Sequence, residues 1–149
     1  MNDEQENTGL DSFTRKYLYV LAGLALIGFV LWLSSLDFRV SEINKLLEAD
    51  AELAAYPYPF RVMSLENGVA QMSSPRSAQL SAIQSLRVMF PELKQHSAVS
   101  DEMVAAQEEL ARVQAYAANL VTRQEDVSRV RWVLDKQWLA SHGVNVDQP

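Results

Sequence analysis

Two imidazoles, His96 and His142, are the residues of this chain best suited to acid–base or metal chemistry near neutral pH, and their spacing argues against both. A helical metal site sets two ligands four residues apart on one face, often as HExxH, and neither histidine has such a partner. His142 falls near an expected helix C-terminus, where its charged form is favoured, and His96 falls in a loop. The chain has no cysteine, which removes disulfides, thiolate nucleophiles and thiolate metal sites. No GxSxG, Ser-x-x-Lys or GxxxxGK[ST] pattern occurs. Ser73-Ser74 before Pro75 reads as a helix cap rather than a nucleophile. Met63 and Met72 would face each other across a hairpin, but two thioethers on one apolar face are ordinary core filler rather than a copper site. The expectation is a non-enzymatic chain with no catalytic, cofactor-binding or metal-ligating residues.

Charge narrows the partners. The formal net charge is −6, and the chain after residue 36 holds 15 acids against 11 bases. Nucleic-acid binding needs a basic footprint, and none is present. A polybasic grip on anionic lipid is equally missing.

The element that positions everything else is Tyr17–Leu36, YLYVLAGLALIGFVLWLSSL, which carries no charge. About twenty apolar residues suffice for a helix to cross the hydrocarbon core of a bilayer. A cleavable signal peptide has a shorter apolar core and a basic leader, whereas the leader here, MNDEQENTGLDSF, is acidic. Tyr17, Tyr19 and Trp32 stand towards the two ends, where aromatic rings prefer the headgroup region. The segment is therefore expected to be a signal-anchor that meets membrane lipid. Arg15 and Lys16 precede it, and Arg39 and Lys45 follow. The first pair is nearer the lipid, which favours a cytoplasmic N-terminus and a C-terminal periplasmic domain at an inner membrane.

The remaining elements follow from periodicity. Residues 1–16 read as a disordered polar tail. Residues 37–55 read as an amphipathic stalk helix, with Val40, Ile43 and Leu47 at alternating spacings of three and four and Asp50 as the misfit. That stripe suits packing on the chain's own domain; as a coiled-coil seam it would join two copies into a homo-oligomer. Tyr56-Pro57-Tyr58-Pro59-Phe60 ends the helix, its prolines enforcing extended backbone. A β-hairpin over 60–73 is expected around Asn67-Gly68, because a type I′ turn needs positive φ at both central positions. Tight pairing would set Leu65 against Ala70 and Met63 against Met72 on one apolar face, with Ser64 and Gln71 on the other.

Ser74-Pro75 is expected to open a helix that Pro91 stops, and Ser100 to cap a longer one with Asp101 and Glu102 in its first turn. A phase change near 122–126 leads into a last helix bearing Val127, Val130, Leu134 and Trp138, with Trp132 alongside and Gly143 as its stop. Glu125–Arg129 and Arg131–Asp135 would pair along that helix. The predicted fold is mainly α: one N-terminal transmembrane helix, then a small domain over 56–142 with three to four helices and one hairpin, then a frayed tail over 143–149. Met63, Leu65, Met72, Trp132 and Trp138 are the candidate contacts for a protein partner. The reading this supports is a single-pass accessory, scaffold or assembly protein. The alternatives are a homo-oligomer joined through anchor and stalk, and a module that binds lipid or another apolar ligand between hairpin and helices.

Overall fold

The computed structural model describes residues 12–78 and 80–146, and the chain divides into two compact units, Met1–Asp37 and Phe38–Pro149. The architecture is mainly helical, with one long apolar N-terminal helix and a small three-stranded sheet. Helix α1 covers Ser12–Ala49. In the first unit its described side chains are exposed almost throughout, and no part of its most apolar stretch is buried. It is long and apolar enough to cross a membrane. Residues 12–16 are already helical rather than part of a disordered tail. A helix already nucleated by the apolar run extends at little cost per added residue. The rest of the expected tail, 1–11, lies outside the described residues, as do 147–149.

The second unit begins within α1. Ile43 and Leu47 are each 1% exposed and belong to its core, with Val40 packed against them. They face their own domain, so they are not available as a seam between copies. The misfit at Asp50 is the point where the helix breaks. Asp50 caps a short helix, α2 (Ala51–Ala55), accepting from the N–H groups of Glu52 and Leu53. The Tyr116 hydroxyl donates to its other oxygen at 2.8 Å. These donors hold the Asp50 carboxyl below the usual range, the Leu53 N–H most of all. The aromatic-proline connector then turns inward, burying Tyr58 and Phe60.

Strands β1 (Val62–Glu66) and β2 (Val69–Ser74) form the expected hairpin, with Asn67 at φ 49° and Gly68 at φ 76°. Leu65 pairs with Ala70, but the ladder slips one residue between Val62 and Ser64, so Val62 rather than Met63 opposes Met72. The bulge turns Met63 outward, 51% exposed, and buries Val62 in its place. The backbone of Arg61 and Ser73 explains the slip. Ser73 N–H bonds to Arg61 O at 2.8 Å, and Arg61 N–H to Ser73 Oγ at 3.1 Å.

Ser74 ends β2 instead of opening a helix. Helix α3 (Ala82–Met89) starts later, at Ser81, whose hydroxyl and the Gln84 side chain form a reciprocal capping box. A 3-10 turn (Pro91–Gln95) follows, then helix α4 (Asp101–Thr122), capped by Ser100 with Asp101 and Glu102 in its first turn. Its buried face, Met103, Leu110, Val113, Ala117 and Val121, supplies much of the core.

The largest departure from expectation comes next. Residues 129–134 form strand β3 (Arg129–Leu134), parallel to β2 from Val69↔Arg129 to Ser74↔Leu134. The sheet order is β1-β2-β3. Parallel neighbours need a long crossover, which α3 and α4 provide. Among the described residues after it, only Lys136–Ser141 is helical (α5). Glu125–Arg129 and Arg131–Asp135 therefore do not pair along a helix. Asp126 instead accepts from Arg39 through both carboxylate oxygens, at 2.8 and 2.7 Å. Gly143, at φ 81°, stops α5, and Val144 N–H folds back onto Leu139 O at 2.9 Å.

Candidate functional site

Where β2, β3, the aromatic connector and α5 meet, four polar side chains gather: Tyr58, Arg61, Ser73 and Asp135. Asp135 is 3% exposed. Its Oδ1 accepts the Trp138 N–H at 3.0 Å and so caps α5. Its Oδ2 accepts from the Tyr58 hydroxyl at 3.1 Å and from Arg61 at 2.9 Å. Burial pushes the Tyr58 hydroxyl above its ordinary pKa, with the Asp135 charge adding to the effect and Ser73 opposing it. Three donors thus engage both carboxylate oxygens. The cluster is a clamp that fixes the end of β3 against the connector.

The histidines lie elsewhere. His96 Nδ1 is 3.2 Å from Glu102, at the surface. His142 stacks on Trp138 with ring centroids 4.1 Å apart, and its Nδ1 lies 2.8 Å from Trp138 O. Among the described residues no three His, Asp or Glu side chains converge as a metal site would require.

Several clefts indent the domain. One, about 330 Å³, is lined by Leu47, Leu53, Tyr56, Pro57, Pro59 and Phe60 among others. The Tyr56 hydroxyl is buried without a hydrogen-bond partner, and burial, aided by Glu109, raises its pKa to about 12. The second, about 220 Å³, lies between Ser74, Arg76, Ser77, Gln114 and Trp132. Gln114 bridges it, accepting from Arg76 Nε at 2.8 Å and donating to Ser74 Oγ at 3.1 Å.

The residues expected to meet a partner separate into two groups. Leu65 and Met72 are buried in the domain core, which leaves neither for a partner. Trp138 packs half-buried against that core, edge-on to Tyr58. Met63 and Trp132 are exposed, Trp132 at 37% with its ring against Phe60. The hairpin face is therefore already covered by the chain's own helices, and the accessible feature lies on β3 instead.

The two sheet edges differ. Along β1, the Asn44 side chain from α1 both donates to Val62 O, at 2.9 Å, and accepts from Val62 N, at 2.6 Å. That contact covers the edge at its first residue. Strand β3 occupies the other edge, and no described strand lies beyond it. Reading 129–134 as helix missed this feature. The signal that could have found it is the alternation Arg129-Val130-Arg131-Trp132 in a run rich in β-branched and aromatic residues. Compared with protein-family models, with curated proteins and with solved structures, the chain has no match.

Proposed function

We propose that this chain is a non-enzymatic, single-pass membrane protein whose folded domain serves as an accessory or assembly surface for a protein partner. The observation that carries the reading is the apolar run of α1 from Tyr17 to Leu33, which no described residue buries. In water such a surface would far exceed the apolar patch a soluble monomer tolerates, so lipid is the solvent that suits it. Placement at an inner membrane, with the domain on the periplasmic side, follows from Arg15 and Lys16 lying next to the apolar run. The accessory role rests on the clamp around Asp135, whose carboxylate holds Trp138, Tyr58 and Arg61 in the fold, and on the accessible strand at the sheet edge.

The test is fractionation followed by capture. The full-length chain should stay with membranes through an alkaline wash, and capture in mild detergent should return a defined partner at fixed stoichiometry. Recovery of the chain alone, as a monomer, contradicts the accessory role. Reporters fused to either end read the orientation; activity of the C-terminal fusion in the cytoplasm contradicts it. A second reading, a site for an apolar ligand, is favoured by the cleft under Tyr56 with its unpartnered hydroxyl. Native mass spectrometry that releases no small molecule from the purified chain removes it.

A further inference from the structure

We propose that the outer edge of β3 receives an extended, acid-bearing segment of the partner protein, which adds to the sheet as a further strand. The inference names the partner's chemistry and rests on the reading above only for the existence of a partner.

Backbone direction is the first ground. Arg129 N–H bonds to Gly68 O at 3.2 Å and Asp135 N–H to Ser74 O at 2.8 Å. In a parallel ladder alternate residues point the same way, so Arg129, Arg131, Val133 and Asp135 address β2. Val130, Trp132 and Leu134 then direct their N–H and C=O groups away from the sheet. Natural edges are usually blunted by proline, a bulge, a covering element or charged side chains, and of these β3 carries only the charges of Arg129 and Arg131. The β1 edge has such a cover in Asn44. Strand β3 runs six residues, has no proline and pairs without a bulge.

Charge is the second ground, and it selects the occupant. Arg129 and Arg131 stand on one face of β3, both exposed. The acids nearest them in sequence are engaged elsewhere: Asp126 holds Arg39 and Asp135 holds Arg61. Neither Arg129 nor Arg131 has an ion pair among the described residues, whereas Arg39, Arg61 and Arg112 each do. A strand with acidic residues two apart would set both carboxylates beside these guanidiniums, since cross-strand neighbours share a face. An apolar residue between them would lie on the opposite face, beside Val130. A second copy of β3 is disfavoured, because it would bring two more arginines to the same edge.

The probe is a blocked, dye-labelled peptide of alternating glutamate and valine, titrated by anisotropy into the full-length chain in mild detergent. A lysine–valine peptide is the control. The glutamate peptide should bind saturably and about tenfold more tightly than the control, two favourable cross-strand charge pairs being replaced by two unfavourable ones. Raising the salt should narrow that gap. Trp132→Pro deletes an outward N–H, the kind of position where an edge strand tolerates proline, and should weaken binding by about tenfold or more. The double variant Arg129→Glu with Arg131→Glu changes only exposed side chains and should reverse the peptide preference. Equal binding of both peptides, no binding, or a preference that the double variant leaves unchanged overturns the proposal. So does a dimer of the chain that Trp132→Pro dissociates, which would assign the edge to a second copy. Release of the chain from membranes by alkali would remove the anchor while leaving peptide binding intact, so the two readings fail separately.

Discussion

Replacing Asp135 with alanine tests the clamp that joins β3, α5 and the aromatic connector. Three donors converge on this carboxylate: the Trp138 N–H, the Tyr58 hydroxyl and the Arg61 guanidinium. Loss of an N-cap costs about 1 kcal/mol. Stranding a buried hydroxyl costs about 1–3 kcal/mol. The lower half of that range applies to Tyr58, because Ser73 is also within its reach. Arg61 is 39% exposed along its side chain and can turn to water, so its released charge adds little. The sum is about 2–3 kcal/mol for Asp135→Ala. Asparagine keeps one oxygen for the cap and sets its amide NH2 where Oδ2 stood; the Tyr58 hydroxyl can turn to accept from it, whereas Arg61 loses its acceptor and turns to water, so Asp135→Asn should cost about 1 kcal/mol, less than alanine. Urea unfolding of the full-length chain in mild detergent, followed by near-ultraviolet circular dichroism, measures both. A loss below about 0.5 kcal/mol for alanine would show that the cluster does not hold the fold. Equal losses for alanine and asparagine would show that charge, rather than donor satisfaction, is what matters.

The hairpin and the buried tyrosines make further predictions. A Cβ at Gly68, built at φ 76°, would lie 2.8 Å from Ser128 Oγ. Gly68→Ala should therefore cost about 1–2 kcal/mol from the left-handed backbone alone, measured by the same unfolding assay, and an unchanged midpoint would refute the turn geometry. Tyr56 titrates near 12 in the folded chain and Tyr58 higher than an ordinary tyrosine, both chiefly through burial. Unfolded tyrosines ionise near pH 10, so between about 10 and 12 the unfolded state binds fewer protons than the folded one. Stability contributed by these groups is thus complete below about pH 10 and lost as pH rises through 12. Tyr58→Phe should flatten that decline; an identical alkaline slope in wild type and variant contradicts the assignment.

Local chemistry made part of this fold legible. Asn67-Gly68 announces its turn because few other pairs accept positive φ twice in succession, and Ser100 with Asp101 and Glu102 announces the start of α4. Asp50, the misfit in the stalk pattern, marks the helix break because its side chain competes for backbone N–H groups. Strand β3 was illegible for a different reason. Val127, Val130, Leu134 and Trp138 fit a helical stripe while 129–132 also alternates, and the partner that decides between them, β2, lies sixty residues earlier in register. The bulge at Met63 likewise depends on Ser73 and Arg61 meeting across the ladder. The clamp at Asp135 depends on both outcomes, so no local pattern could reveal it. The same error hid the candidate site, since a helix has no edge to offer a strand.

The account depends most on the Tyr17–Leu36 part of α1 lying in lipid, and flotation reads that directly. Membranes from cells expressing the full-length chain are washed at alkaline pH and floated through a density gradient. The chain should rise with the lipid and leave it only when detergent is added. A chain that stays at the bottom after the wash, soluble and folded without detergent, would contradict the account.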